Sequence, residues 1–173
     1  MYKIENVINK LSKNPDPKRV WKRRELNIVD SIVIHQAAGY KHTLQGIARY
    51  HATPDQNNHI SKQGAPGICY TFVIGKKGQI YQCNEFEDVV WHSGNSDINK
   101  TSVAICLLGD YRGPSYQGHE EGPNEEMLDS LSFLIPNIET FLDIKKIYGH
   151  CEINSQKVNC PGIAIMSWIK EYR

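Results

Sequence analysis

Two runs of apolar, largely β-branched residues constrain this chain most. They are Ser31-Ile32-Val33-Ile34-His35 and Ser102-Val103-Ala104-Ile105-Cys106-Leu107-Leu108. Val and Ile lose rotamer freedom in a helix and pack well on a pleated surface. Both runs lack the alternation of a half-exposed strand, so each reads as a buried strand. A hairpin follows the first. Ile68–Ile74 and Gln79–Cys83 flank the turn Gly75-Lys76-Lys77-Gly78, whose glycines suit a tight reversal. Lys145–Gly149 reads as a last strand, ending on His150. Between these lie helical patterns. Thr43 can cap a helix to about His51, and Pro123-Asn124-Glu125-Glu126 opens another that runs to Ile138, with Pro136 expected to kink or split it. Ile163–Tyr172 closes the chain as a helix with Ile165, Trp168 and Ile169 inward. Ile4, Val7, Ile8 and Leu11 fall at helical spacing, so residues 1–27 read as an N-terminal helical extension, broken at Asn14-Pro15-Asp16-Pro17. The expectation is one α/β domain over residues 1–173, with a central mixed β-sheet of about five strands flanked by helices. The polar, turn-rich stretch 52–67 is expected to be a long surface loop near a site.

Charge excludes some partners. Twenty Lys and Arg stand against 19 Asp and Glu in 173 residues, a net of +1. Nucleic-acid or membrane binding driven by net charge is therefore not expected. No apolar run approaches the ~20 residues of a membrane span, and the first ten residues lack the apolar stretch of a secretory leader. The basic run Lys18–Arg24 reads as a solvated helix face or a contact for anionic polymers. Five cysteines, an odd and scattered set, suggest free thiols or metal ligation.

The chemistry gathers at strand ends. His35 ends one strand, His150 ends another, and Cys160 follows ten residues later in Asn159-Cys160-Pro161-Gly162. Two His and one Cys with an open fourth position form a ligand set of catalytic zinc. Each alone equally suits a core or surface residue, and Cys-Pro-Gly a turn with a buried thiol. Neither Cys-x-x-Cys nor His-Glu-x-x-His occurs.

Further motifs appear in order: Tyr70-Thr71-Phe72-Val73-Ile74 with Gly78-Gln79-Ile80-Tyr81-Gln82, then Trp91-His92-Ser93-Gly94-Asn95, and then Gly149-His150 and Cys160-Pro161-Gly162. Together with the two buried strands, this series resembles the type 2 N-acetylmuramoyl-L-alanine amidases, whose fold is shared with peptidoglycan recognition proteins and T7-type phage lysozymes. The resemblance covers roughly residues 28–172. It implies a zinc cleft at strand ends, with His35, His150 and Cys160 as ligands. It implies hydrolysis of the amide between N-acetylmuramic acid and L-alanine in peptidoglycan, with Tyr70 near the attacking water. His92, His51 and Asn95 are expected along the substrate cleft. Tyr70 is expected to share a strand face with Phe72 and Ile74. Many relatives carry a Lys two residues before the last ligand. Here that position is Val158, and Lys157 lies three before, so Lys157 is expected to serve the developing oxyanion. Cys106 stands where other branches carry Glu. Cys69, Cys83, Cys106 and Cys151 are expected as small buried hydrophobes. The resemblance fits a phage or prophage endolysin or an autolysin, held in the host cytoplasm until release to the wall or secreted by a non-classical route. Two rivals are a non-catalytic peptidoglycan-binding module and a cytoplasmic amidase that recycles muropeptides.

Overall fold

A computed structural model describes residues 2–39 and 41–173. Six strands form one mixed sheet: β1 (Ile4–Asn6), β2 (Ser31–Gln36), β3 (Phe72–Ile74), β4 (Ile80–Gln82), β5 (Ser102–Leu107) and β6 (Lys146–Gly149). Their order across the sheet is β1-β4-β3-β5-β2-β6. β2 pairs in parallel with both β5 and β6, and β3 with β5; only the β3–β4 hairpin is antiparallel. Every residue of β2 and β5 is buried, as their unbroken apolar runs require in parallel strands covered on both faces. Gly78 closes the hairpin with φ of +72°, and a Cβ there would lie 2.8 Å from the Glu126 carbonyl.

Five helices cover the sheet: α1 (Leu44–Ala52), α2 (Ser96–Thr101), α3 (Glu125–Glu139), α4 (His150–Ile153) and α5 (Ile163–Tyr172). Alternation along the strands divides the core. Ile32, Ile34, Phe72, Ile74, Val103 and Ile105 pack with Leu131, Leu134 and Ile138 of α3 and Ile165 and Ile169 of α5. Each such fully buried side chain contributes roughly 1.5–3 kcal/mol. Val73 and Cys106 face the other way, toward Leu44, Ile47 and Ala48 of α1.

Several local expectations change. The N-terminal helical extension is absent: β1 pairs in parallel with β4, and a short 3-10 turn follows at Ile8–Lys10. Its apolar spacing has another cause. Ile4 packs on the α3 face of the sheet while Val7 and Leu11 pack on the α1 face, so the chain wraps the sheet edge rather than presenting one stripe. The basic run is not a helix face either. Arg24 is buried, and its guanidinium donates to the carbonyls of Phe86, Asn99, Lys100 and Ser102. The strand expected from Ile68 begins only at Phe72, because the Asn84 amide takes the carbonyls of Ile68 and Tyr70 that a ladder would use. Pro136 leaves α3 continuous through Glu139. Pro136 and Ser132, whose carbonyl loses its N–H partner there, are both exposed, so water can serve that carbonyl. Among the described residues, no helix is long and apolar enough to cross a membrane.

Candidate metal centre

The cleft opens at the carboxyl ends of β2, β5 and β6, where open α/β sheets bind ligands. His35 is the fifth residue of β2 and shares a face with Val33, on the α1 side. The pairing of Ile34 with Gly149 brings the next residues, His35 and His150, side by side. Their ring centroids lie 4.4 Å apart. Gly149 lets α5 and the loop before it pack close behind this pair: a Cβ there would lie 2.1 Å from Met166 Sδ and 2.8 Å from Pro161 Cδ. Cys160 sits in the loop between α4 and α5. Its N–H donates to Lys157 O at 2.9 Å, and its carbonyl accepts from Cys151 N at 2.7 Å. Gln36, the residue after His35, donates its side-chain amide to the carbonyl of Asn159, the residue before Cys160. Loop and strand are thus tied beside His35 and Cys160.

One ligand atom from each of His35, His150 and Cys160 lies within 4.8 Å of the others, and His35 Nδ1 is 3.9 Å from Cys160 Sγ. An ion bonded at ~2.0–2.3 Å to each needs ligand atoms roughly 3–4 Å apart, so a small contraction suffices. The outer contacts fit as well. His150 Nε2 lies 3.1 Å from Ser93 O, and His35 Nε2 lies 3.0 Å from His92 Nδ1. Each ligating ring keeps Nδ1 for the shared site, the arrangement in which outer partners fix metal-binding histidines. Burial holds the His35 imidazole far below its ordinary pKa, with His150 and His92 adding to the effect, and lowers that of His150. Both rings are therefore neutral at pH 7, the form that could ligate a metal. Burial also pushes the Cys160 thiol up to about 12, a preference that a bound dication inverts. The donor set therefore suits zinc.

The surrounding cleft is about 400 Å³. Tyr70 sits against it, half-buried, with its ring centroid 5.3 Å from that of His35 and 5.5 Å from that of His51. It does not share a face with Phe72 and Ile74. A bend at Thr71 turns it onto the α1 side. Burial raises the Tyr70 pKa well above its usual value, so the hydroxyl stays protonated. Lys157 lines the rim, exposed, at the end of a short 3-10 turn, Ser155–Lys157. Burial lowers the pKa of His150 and of His59, and the Lys157 charge adds to both. His51 lines the wall but is buried rather than exposed, and its Nδ1 accepts from Cys69 N at 3.0 Å. His92 is buried as well.

Asn95 is not brought into the cleft. Its side-chain oxygen accepts from the N–H groups of Asp97 and Ile98 and caps α2. Asn99, one turn on, lines the cleft instead and holds its floor. Its Oδ1 accepts from His92 N, Ser93 N and Ser93 Oγ. Of the four cysteines expected to be buried, Cys69, Cys83 and Cys106 are, whereas Cys151 is half-exposed at the first turn of α4. Sequence reasoning did not single out Ser93, Asn99, Ser102 or Gln36. The one available signal was Asn95 as a helix N-cap, which would have placed Asn99 on the next turn. At the rim Tyr50 and His59 stack, Tyr50 Oη lying 2.7 Å from His59 Nδ1.

Comparison with known proteins gives one family match, the model described as N-acetylmuramoyl-L-alanine amidase, over residues 25–163. Peptidoglycan-recognition protein SC1a of Drosophila melanogaster is 24% identical over 144 residues, 83% of this chain and 74% of that protein. Solved structures similar along nearly the whole chain include two endolysins and a recognition protein, bumblebee PGRP-SA, with a TM-score of 0.72 at 17% identity, covering 98% of this chain and 95% of that one. The endolysin N-acetylmuramoyl-L-alanine amidase LysCS from Clostridium intestinale URNW has a TM-score of 0.71 at 22% identity, covering 99% of this chain and 96% of that one. The Ph2119 endolysin from the Thermus scotoductus MAT2119 bacteriophage has a TM-score of 0.70 at 19% identity, covering 98% and 97%.

Proposed function

The chain belongs to the N-acetylmuramoyl-L-alanine amidase family, and on that premise we propose that it cuts the amide between N-acetylmuramic acid and L-alanine in bacterial peptidoglycan, with zinc held by His35, His150 and Cys160. The observation that carries this reading is the three-residue cluster itself, open to the cleft, with Nε2 of each histidine engaged elsewhere and His35 Nδ1 3.9 Å from Cys160 Sγ.

Zinc bound there would supply Lewis acidity, polarising the amide carbonyl and lowering the pKa of water from 15.7 to ~7. The remaining work falls to side chains. Tyr70, kept protonated by burial, donates its hydroxyl to the carbonyl oxygen as that atom gains negative charge. One such donor is typically worth ~10²–10³ in rate. Lys157, a cation at the rim, adds a second positive group near the same oxygen. Trp91 lines the cleft, with Trp21 edge-on at 5.5 Å and the Arg19 guanidinium 5.7 Å above its ring, and offers an apolar wall for the substrate. Likeness to two solved endolysins supports an endolysin role, in which the protein reaches the wall after release from its host cell.

A specific observation favours a second reading. Several relatives, SC1a among them, are named recognition proteins, so a module that binds peptidoglycan without cutting it is the alternative. Mass spectrometry of purified peptidoglycan after digestion decides. Free stem peptides with intact glycan strands support the amidase. Cut glycans, or undigested peptidoglycan with zinc-loaded protein bound, refute it.

A further inference from the structure

Behind His35 a line of hydrogen bonds runs in one direction only. Ser102 Oγ donates its single proton to the Ile98 carbonyl, which can only accept. Ser102 Oγ also lies 3.0 Å from His92 Nε2, and with its proton committed it must accept there, so His92 carries its proton on Nε2. His92 Nδ1 is then a lone pair, and it lies 3.0 Å from His35 Nε2. His35 must therefore be the Nε2–H tautomer, with the Nδ1 lone pair directed at the site shared with Cys160. The backbone around His92 is held too, by Asn99 at His92 N and Ser93 N.

We propose that His92 is a positioning residue: the relay Ile98–Ser102–His92 selects the tautomer of His35 that can ligate the metal. This departs from the substrate-cleft role that the family resemblance implies for His92. It builds on the metal reading above, but its central claim, the tautomer, can be read without metal or substrate.

Long-range proton–nitrogen NMR of the imidazole rings in the wild-type protein, metal-free and zinc-loaded, tests that claim. Nε2–H on both His35 and His92 is the expected result, and Nδ1–H on His92 overturns the relay. Zinc affinity by chelator competition tests the consequence. His92→Ala is expected to bind zinc about 10–100-fold more weakly. His92→Asn, whose amide oxygen stands where Nδ1 stood, is expected to recover most of that loss. Ser102→Ala frees His92 to take either tautomer and is expected to fall between. Wild-type affinity in His92→Ala, or no recovery in His92→Asn, overturns the proposal. Should His92→Ala fail to fold, the spectra and Ser102→Ala decide alone. If wild-type protein binds no zinc, the function proposed above fails while the tautomer measurement still stands on its own.

Discussion

Removing one oxygen from Tyr70 leaves its ring packed between His35 and His51, so Tyr70→Phe separates chemistry from packing. We expect kcat to fall by ~10²–10³ while zinc content and melting temperature hold. An unchanged kcat would remove Tyr70 from the reaction. His51 yields a prediction about acid. Burial, with His59 and His42 adding to it, takes its pKa to about 3, against ~6.5 in the unfolded chain. The folded-state value is depressed, so below about pH 6.5 the unfolded chain takes up a proton that the folded protein does not. Stability is thus lost as pH falls from about 6.5 toward 3. His51→Gln should lose stability less steeply over that range, by up to about 1.4 kcal/mol per pH unit. Equal slopes in urea titrations at several pH values would refute this. His35, His150 and Cys160 were legible from the sequence because strand ends and a turn motif announce them. The role of His92 was not, because its partners come from elsewhere in the chain, the Ile98 carbonyl from α2 and Ser102 from the start of β5.

The first of these, α2, is a six-residue polar helix with no apolar periodicity to reveal it. It is held at both ends: Asn95 caps its start, and Arg24 takes the carbonyls of Asn99 and Lys100 at its finish. What it supports is the candidate metal centre. Asn99 pins His92 and Ser93, and the Ser93 carbonyl receives His150. Two variants one turn apart should therefore behave differently. Asn95→Ala loses only a cap and should cost about 1 kcal/mol, leaving KM for peptidoglycan unchanged; a raised KM would restore Asn95 as a substrate contact. Asn99→Ala leaves the buried N–H groups of His92 and Ser93 without their acceptor, while Ser93 Oγ keeps the Asn95 carbonyl, and we expect zinc affinity to fall with stability, measured by the same chelator titration. The helical pattern of Ile4, Val7, Ile8 and Leu11 misled for a related reason. A three-residue strand at a sheet edge is too short for period-two alternation, and the flanking apolar residues fall by chance at helical spacing. The longer elements, β2, β5, α3 and α5, were legible because each buries a whole face.

Across the whole molecule, the balance of charge and the placement of the ligands make different predictions. A net charge of +1 gives little general attraction to an anionic wall, so any binding of peptidoglycan by this domain would draw on the cleft rather than on net charge. The metal, in contrast, would act on global stability, because its ligands join separate parts of the chain. His35 belongs to the central strand β2, His150 to the junction of β6 and α4, and Cys160 to the loop before α5. Unfolding any of these disperses the site, so zinc binding is coupled to folding. At a free zinc concentration 1,000-fold above Kd the stabilisation is about 4 kcal/mol, which for a chain of this size corresponds to roughly 8–16 °C in melting temperature. Calorimetry with and without a chelator should show that gap in the wild type. In Cys160→Ala, which lacks the thiolate, the gap should shrink to a few degrees, while the metal-free melting temperatures of the two proteins stay close, since Cys160 is only half-buried. A wild type that melts at the same temperature with and without zinc would mean that the three residues meet without holding a metal, and the reading as a zinc amidase would fall with it.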